Sequence, residues 1–87
     1  MTIKVGKLYK VVPSLTYRNG TPRPKPLKIF VAYQARLGEN GWYMFGDPDY
    51  IPAGELVMPL GTRLEYEAVC LWGEITVVLF ESCLEEV

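Results

Sequence analysis

Residues 63–81 read RLEYEAVCLWGEITVVLFE, and this stretch decides the fold. Over 63–72 the chain alternates. Leu64, Tyr66, Ala68, Cys70 and Trp72 fall on one side of an extended backbone. Arg63, Glu65 and Glu67 open the other side, which turns apolar at Val69 and Leu71. Period-two alternation rich in branched and aromatic residues is the mark of a strand. Gly73-Glu74 then supplies a two-residue turn, with glycine at the first central position, where a type II′ turn needs positive φ. Residues 75–81, ITVVLFE, return as a second strand that is apolar on both sides over part of its length. In a short chain, such a hairpin requires a sheet that closes or bends strongly on itself, or a partner that covers its outer face.

The rest of the sequence supplies neighbours for that hairpin. Residues 27–36, LKIFVAYQAR, form the clearest strand. Leu27, Ile29, Val31, Tyr33 and Ala35 line one face, and Lys28, Phe30, Ala32, Gln34 and Arg36 line the other. Gly38-Glu39-Asn40-Gly41 turns the chain into a strand at 42–45, WYMF. Near the start, 3–12 (IKVGKLYKVV) begin as a strand whose phase breaks at Gly6, the sign of a bend, and Pro13 ends the run. Between these lies a basic, proline-rich connection at 14–26, SLTYRNGTPRPKP. Asn19-Gly20 predicts a type I′ turn there. Pro22, Pro24 and Pro26 each lack an N–H, so the segment is expected as a protruding loop or a ragged edge hairpin. Residues 46–61, GDPDYIPAGELVMPLG, hold three prolines and three glycines and read as an irregular loop, with a short strand or helical turn at Glu55–Met58. Ser82 and Glu85 stand at capping-box spacing, which predicts a short C-terminal helical turn, with an extra edge strand as the rival.

The expected fold is therefore all-β: one domain over 1–87 with five or six antiparallel strands in a strongly curved sheet or barrel. An SH3-like barrel is the first reading and an OB-like one the second. Composition agrees, since 49% hydrophobic and 22% charged residues are enough to build a core and exclude disorder. No run approaches the roughly 18 apolar residues of a membrane span, and no signal peptide precedes the first strand, so a cytoplasmic protein is expected. Cys70 and Cys83 are too few for a disulfide framework and lack CxxC spacing; they read as small buried hydrophobes in a reducing compartment.

The chain contains no histidine. That removes Ser-His and Cys-His nucleophilic pairs and most zinc sites, and no nucleophile with a recognisable activator remains. No enzyme, cofactor or metal is expected. The formal charge of −1 conceals an asymmetry. Residues 1–38 carry eight basic residues and no acid, whereas residues 39–87 carry ten acids and only Arg63. If the first and last strands are neighbours, Lys4, Lys7 and Lys10 face Glu81, Glu85 or Glu86, and the asymmetry is internal pairing that fixes register.

Two groups of residues are candidates for contact with a partner. Trp42, Tyr43, Phe45 and Tyr50 form an aromatic run. Arg18, Arg23, Lys25 and Lys28 form a charged loop without acidic relief. With catalytic signals absent and apolar faces in surplus, the sequence points to a non-enzymatic protein-interaction module, a small regulator or inhibitor docking on a larger protein. Two alternatives follow from the same residues. One is a nucleic-acid-binding barrel that uses the basic loop and the aromatics. The other is a structural subunit of a homo-oligomer or phage assembly.

Overall fold

The computed structural model describes residues 3–87, and apart from one 3₁₀ turn its regular elements are all strands. In chain order they are β1 (Tyr9–Val11), β2 (Ser14–Thr16), β3 (Pro22–Leu27), β4 (Ile29–Gly38), β5 (Gly41–Pro52), β6 (Leu56–Thr62), β7 (Glu67–Trp72), β8 (Ile75–Phe80) and β9 (Leu84–Glu86). The 3₁₀ turn, Glu81–Cys83, precedes β9. Seven strands form one antiparallel sheet in the order β5-β4-β8-β7-β6-β1-β9, while β2 and β3 make a separate two-stranded sheet.

The deciding hairpin is present. β7 and β8 pair from Glu67–Phe80 to Trp72–Ile75, and Gly73 takes φ 60° in the turn. It is shorter than the alternation suggested, because residues 63–66 form a turn and not a strand. Arg63 drives this turn. Its N–H donates to the Glu67 carbonyl at 3.1 Å, and its guanidinium meets the Glu67 carboxylate at 2.6 Å.

The sheet wraps around a single main core without closing into a barrel. Phe30, Ala32 and Ile51 come from one end of the strand order, and Val11 and Leu84 from the other, yet all belong to one buried cluster with Val57, Ala68, Cys70, Val77 and Leu79. The two ends approach through the short β5–β6 connection: the Val11 N–H donates to the Glu55 carbonyl, and the Gly54 N–H to the Val11 carbonyl. The two edges of the sheet are β5 and β9.

Three local expectations are corrected. Residues 46–61 are mostly strand, not irregular loop, since they contain the second half of β5 and most of β6. Proline is tolerated in β5 because β5 is an edge; the ladder is irregular at Gly46-Asp47-Pro48, which oppose Tyr33 alone, and again between Pro59 and Gly61 in β6. Asn19-Gly20 is not a type I′ turn: only Gly20 has positive φ. The Gly20 N–H donates to the Tyr17 carbonyl and the Tyr17 N–H to the Thr21 carbonyl, which is the three-residue loop with glycine in the left-handed position. The capping box does not form, yet both C-terminal readings are present: a 3₁₀ turn at Glu81–Cys83 without a side-chain cap, followed by the edge strand β9. The described residues hold nine strands against the expected five or six, because 14–27 folds as the β2–β3 hairpin and β6 and β9 are added to the main sheet.

First and last strands do meet. β1 lies between β6 and β9, with Lys10 opposite Glu85. The Lys4 ammonium lies 3.4 Å from the Glu86 carboxylate, with both side chains well exposed. Such pairs contribute about 0–1 kcal/mol each, so they set register more than they stabilise.

Both cysteines are buried, unpaired and part of the main core. Burial pushes the Cys70 thiol from its ordinary 9.0 up to about 12 and raises Cys83 as well. Because the folded state holds these protons more tightly, the stability linked to them is complete below about pH 9 and declines as pH rises toward 12. Reagents that need a thiolate should therefore label neither cysteine over hours in the native protein at pH 8, and both within minutes in denaturant. Rapid native labelling would show that these side chains are not buried.

Candidate functional site

The expected aromatic contact patch is divided by the sheet. Residues that pair across strands share a face. Trp42 pairs with Leu37 and Tyr50 with Val31, which places these two aromatics on the odd-numbered face of β4. Tyr43 pairs with Arg36 and Phe45 with Gln34, on the opposite face. There the rings of Tyr43 and Phe45 lie 6.5 Å apart, and the Arg36 guanidinium covers Phe45 at 4.6 Å. Trp42 is half-buried and packs on Ala35, Val69 and Val78, a small second core on the outer face of the sheet. The four residues therefore do not make one surface.

A different surface comes together instead. β4 turns Phe30 and Ala32 into the main core, and its other face carries Ile29, Val31 and Tyr33, which are 57%, 54% and 41% exposed. Tyr33 pairs with Val78 of β8, so Val78 and Phe80 continue the same face. The β2–β3 hairpin stands beside this face and walls it. Between them is an open groove of about 1330 Å³, floored by Ile29, Val31, Tyr33 and Phe80 and walled by Leu15, Tyr17 and Leu27. This exceeds the roughly 300–1,000 Å³ of a small-molecule pocket.

The charged loop lies on this groove, and its four residues have separate fates. Arg23 is bound within the hairpin: its Nε donates to the Thr16 carbonyl at 3.0 Å, and its guanidinium lies 4.6 Å from the Tyr17 ring centre. Arg18 reaches across from the hairpin tip. Its guanidinium carbon lies 4.9 Å from the Phe80 ring centre and 5.6 Å from that of Tyr66. Those two rings stack on each other at 5.8 Å. No acid pairs with Arg18 among the described residues. Lys25 and Lys28 are exposed, and Lys25 lies between Arg23 and Leu27, both of which line the groove. The groove's acids are Glu67, already held by Arg63, and Glu81.

Reading the sequence missed Ile29, Val31, Tyr33, Tyr66 and Phe80 as site residues. The available signal was the segment 27–36, where Phe30 and Ala32 alternate with Ile29, Val31 and Tyr33. Only one of two apolar faces can point inward, which leaves the other for the surface. The Tyr66–Phe80 stack joins residues 14 apart across the β7–β8 hairpin, and Tyr66 itself sits in the 63–66 turn, which neither glycine nor proline announces.

Among the described residues, no three of His, Cys, Asp and Glu converge to hold a metal ion, and no helix is long and apolar enough to cross a membrane. Comparison with known proteins returned no match: no family model fits the chain, and no curated protein and no solved structure is significantly similar to it.

Proposed function

We propose that this chain is a non-enzymatic protein-interaction module, a small cytoplasmic regulator or inhibitor that takes an extended segment of a larger protein into the groove beside β4. The row Ile29, Val31 and Tyr33 carries the reading, because it is exposed on a strand whose reverse side is core. An exposed apolar row of this kind marks an interaction site, and its two-residue period matches the side-chain repeat of an extended segment. Two unpaired thiols support a reducing compartment. The SH3-like reading of the fold belongs to the same proposal. Its support is the meander β6–β7–β8, followed by a 3₁₀ turn and a last strand that returns to β1. On that reading β2–β5 are an insertion after the first strand. The OB-like reading has less support, since three consecutive hairpin neighbours and a terminal return already account for the compact part.

Selection from a displayed library of random peptides tests the proposal. Peptides retained by the wild-type protein should lose at least about tenfold in affinity for Val31→Asp, a loss of about 1.4 kcal/mol. The folding stability of that variant should stay within about 0.5 kcal/mol, because the site is on the surface. Peptides that bind Val31→Asp equally well would sink the reading. So would concentration-dependent self-association that Val31→Asp abolishes, or an oligonucleotide that occupies the groove more tightly than any peptide.

A further inference from the structure

Arg18 reaches from the β2–β3 hairpin tip onto two aromatic rings of the main sheet. Its guanidinium carbon lies over both rings of the Tyr66–Phe80 stack, 4.9 Å from the Phe80 centre and 5.6 Å from the Tyr66 centre. Ring contacts use the face of the guanidinium and leave its N–H edge free. No carboxylate meets that edge among the described residues, and the side chain lines the groove. A guanidinium that rests on aromatic rings and pairs with no acid suits bidentate recognition of a planar anion, since the ring contacts lower the cost of ordering it. The setting restricts the anion further. The floor next to Arg18 is apolar, so the anion must be carried by a ligand that also buries apolar side chains.

We propose that Arg18 is the carboxylate-receiving residue of the groove. The occupant is then an extended segment with apolar side chains at alternate positions on Ile29, Val31 and Tyr33 and a carboxylate, from Asp, Glu or a chain terminus, beside Phe80. This inference rests on the groove being a peptide site. Lys25, exposed on β3 outside the groove lining, adds a longer-range attraction, and Glu81, which lines the groove, disfavours a second acid at the near end.

The same random-peptide selection, followed by affinity measurements, tests it. Retained sequences are expected to be enriched in Asp or Glu at one fixed distance from their apolar positions. For one such peptide, Arg18→Gln should weaken binding about tenfold or more, the value of a charge-assisted hydrogen-bond pair. Arg18→Lys should recover only part of the loss, because lysine keeps the charge without the fork. Replacing the peptide acid by its amide should cost the wild type as much as Arg18→Gln does, and should cost Arg18→Gln nothing further. Comparing free and amidated peptide termini separates a terminal carboxylate from a side-chain one. The assignment fails if retained peptides lack a carboxylate, if the two changes are additive, or if Arg18→Lys binds like the wild type. Each of these outcomes leaves peptide binding and its loss in Val31→Asp intact, so they differ from a failure of the groove itself. Loss of folding stability in Arg18→Gln matching its loss of affinity would also overturn the assignment, since Arg18 would then only hold the hairpin.

Discussion

Ile51→Ala should lower the folding free energy by about 2–5 kcal/mol, the range for truncating a fully buried isoleucine. Total stability of a small domain is about 5–15 kcal/mol, so this single change could remove a third or more of it. Ile51 has no exposed surface and is among the largest fully buried side chains. It pairs with Phe30, and both share a cluster with Val11 and Leu84 from the far end of the strand order. The cavity would therefore open where the two ends of the sheet share a core, and collapse there would require the whole sheet to tighten. Tyr50→Ala is the matched control. Tyr50 is the adjacent residue on the same strand, is 64% exposed and pairs with Val31 on the outer face. Its removal should change stability by no more than about 0.5 kcal/mol. Urea denaturation of both variants measures the contrast. Equal midpoints would mean that the inner and outer faces of β5 have been interchanged.

Gly61→Val should cost about 1–3 kcal/mol by overpacking and should displace Trp42. Gly61 does not have a positive φ, so backbone freedom does not explain the glycine. Space does. A Cβ at Gly61 would lie 3.0 Å from Nε1 of Trp42, which packs over Ala35, Val69 and Val78. Valine adds two further methyl groups toward the same ring. Moving the indole would uncover that small outer core and shift Trp42 emission to longer wavelength. Trp72 donates from Nε1 to the Glu55 carboxylate at 3.0 Å and packs against the main core, so a Trp72→Phe background makes Trp42 the reporter. Gly61→Ala should give a smaller change of the same sign. Unchanged emission and an unchanged midpoint in Gly61→Val would show that Trp42 does not rest on β6.

The pattern of apolar residues made much of this fold legible. The faces of β4 follow from alternation and the turn at Gly73 from glycine chemistry, whereas the meeting of first and last strands is one of the readings that the charge asymmetry allows. Alternation identifies faces without saying which is inside, so Ile29, Val31 and Tyr33 could not be assigned to the surface before β8 and the hairpin were placed. Leu64 and Tyr66 continue the period of β7 and read as strand, but a side chain four residues away decides otherwise: Arg63 closes a turn onto Glu67. Prolines misled in β5 and β6. Their missing N–H groups argue against a ladder on average, yet an edge and a register shift accommodate them. The β7–β8 hairpin register brings Tyr66 beside Phe80, but Arg18 reaches them from the β2–β3 tip, and no local rule relates it to them.

The place of β1 in the sheet also sets an order of events. β6, β7 and β8 pair through short connections, so their contacts close quickly. β1 is made first but lies between β6 and β9, and its second ladder waits for Leu84–Glu86. During synthesis Tyr9 and Val11, both buried in the finished protein, remain without their final neighbours until residue 86 has left the ribosome. Capture of this strand should therefore come last, after the rate-limiting step. Substitutions in β1 and β9 should speed unfolding, while those in the β7–β8 hairpin should slow folding.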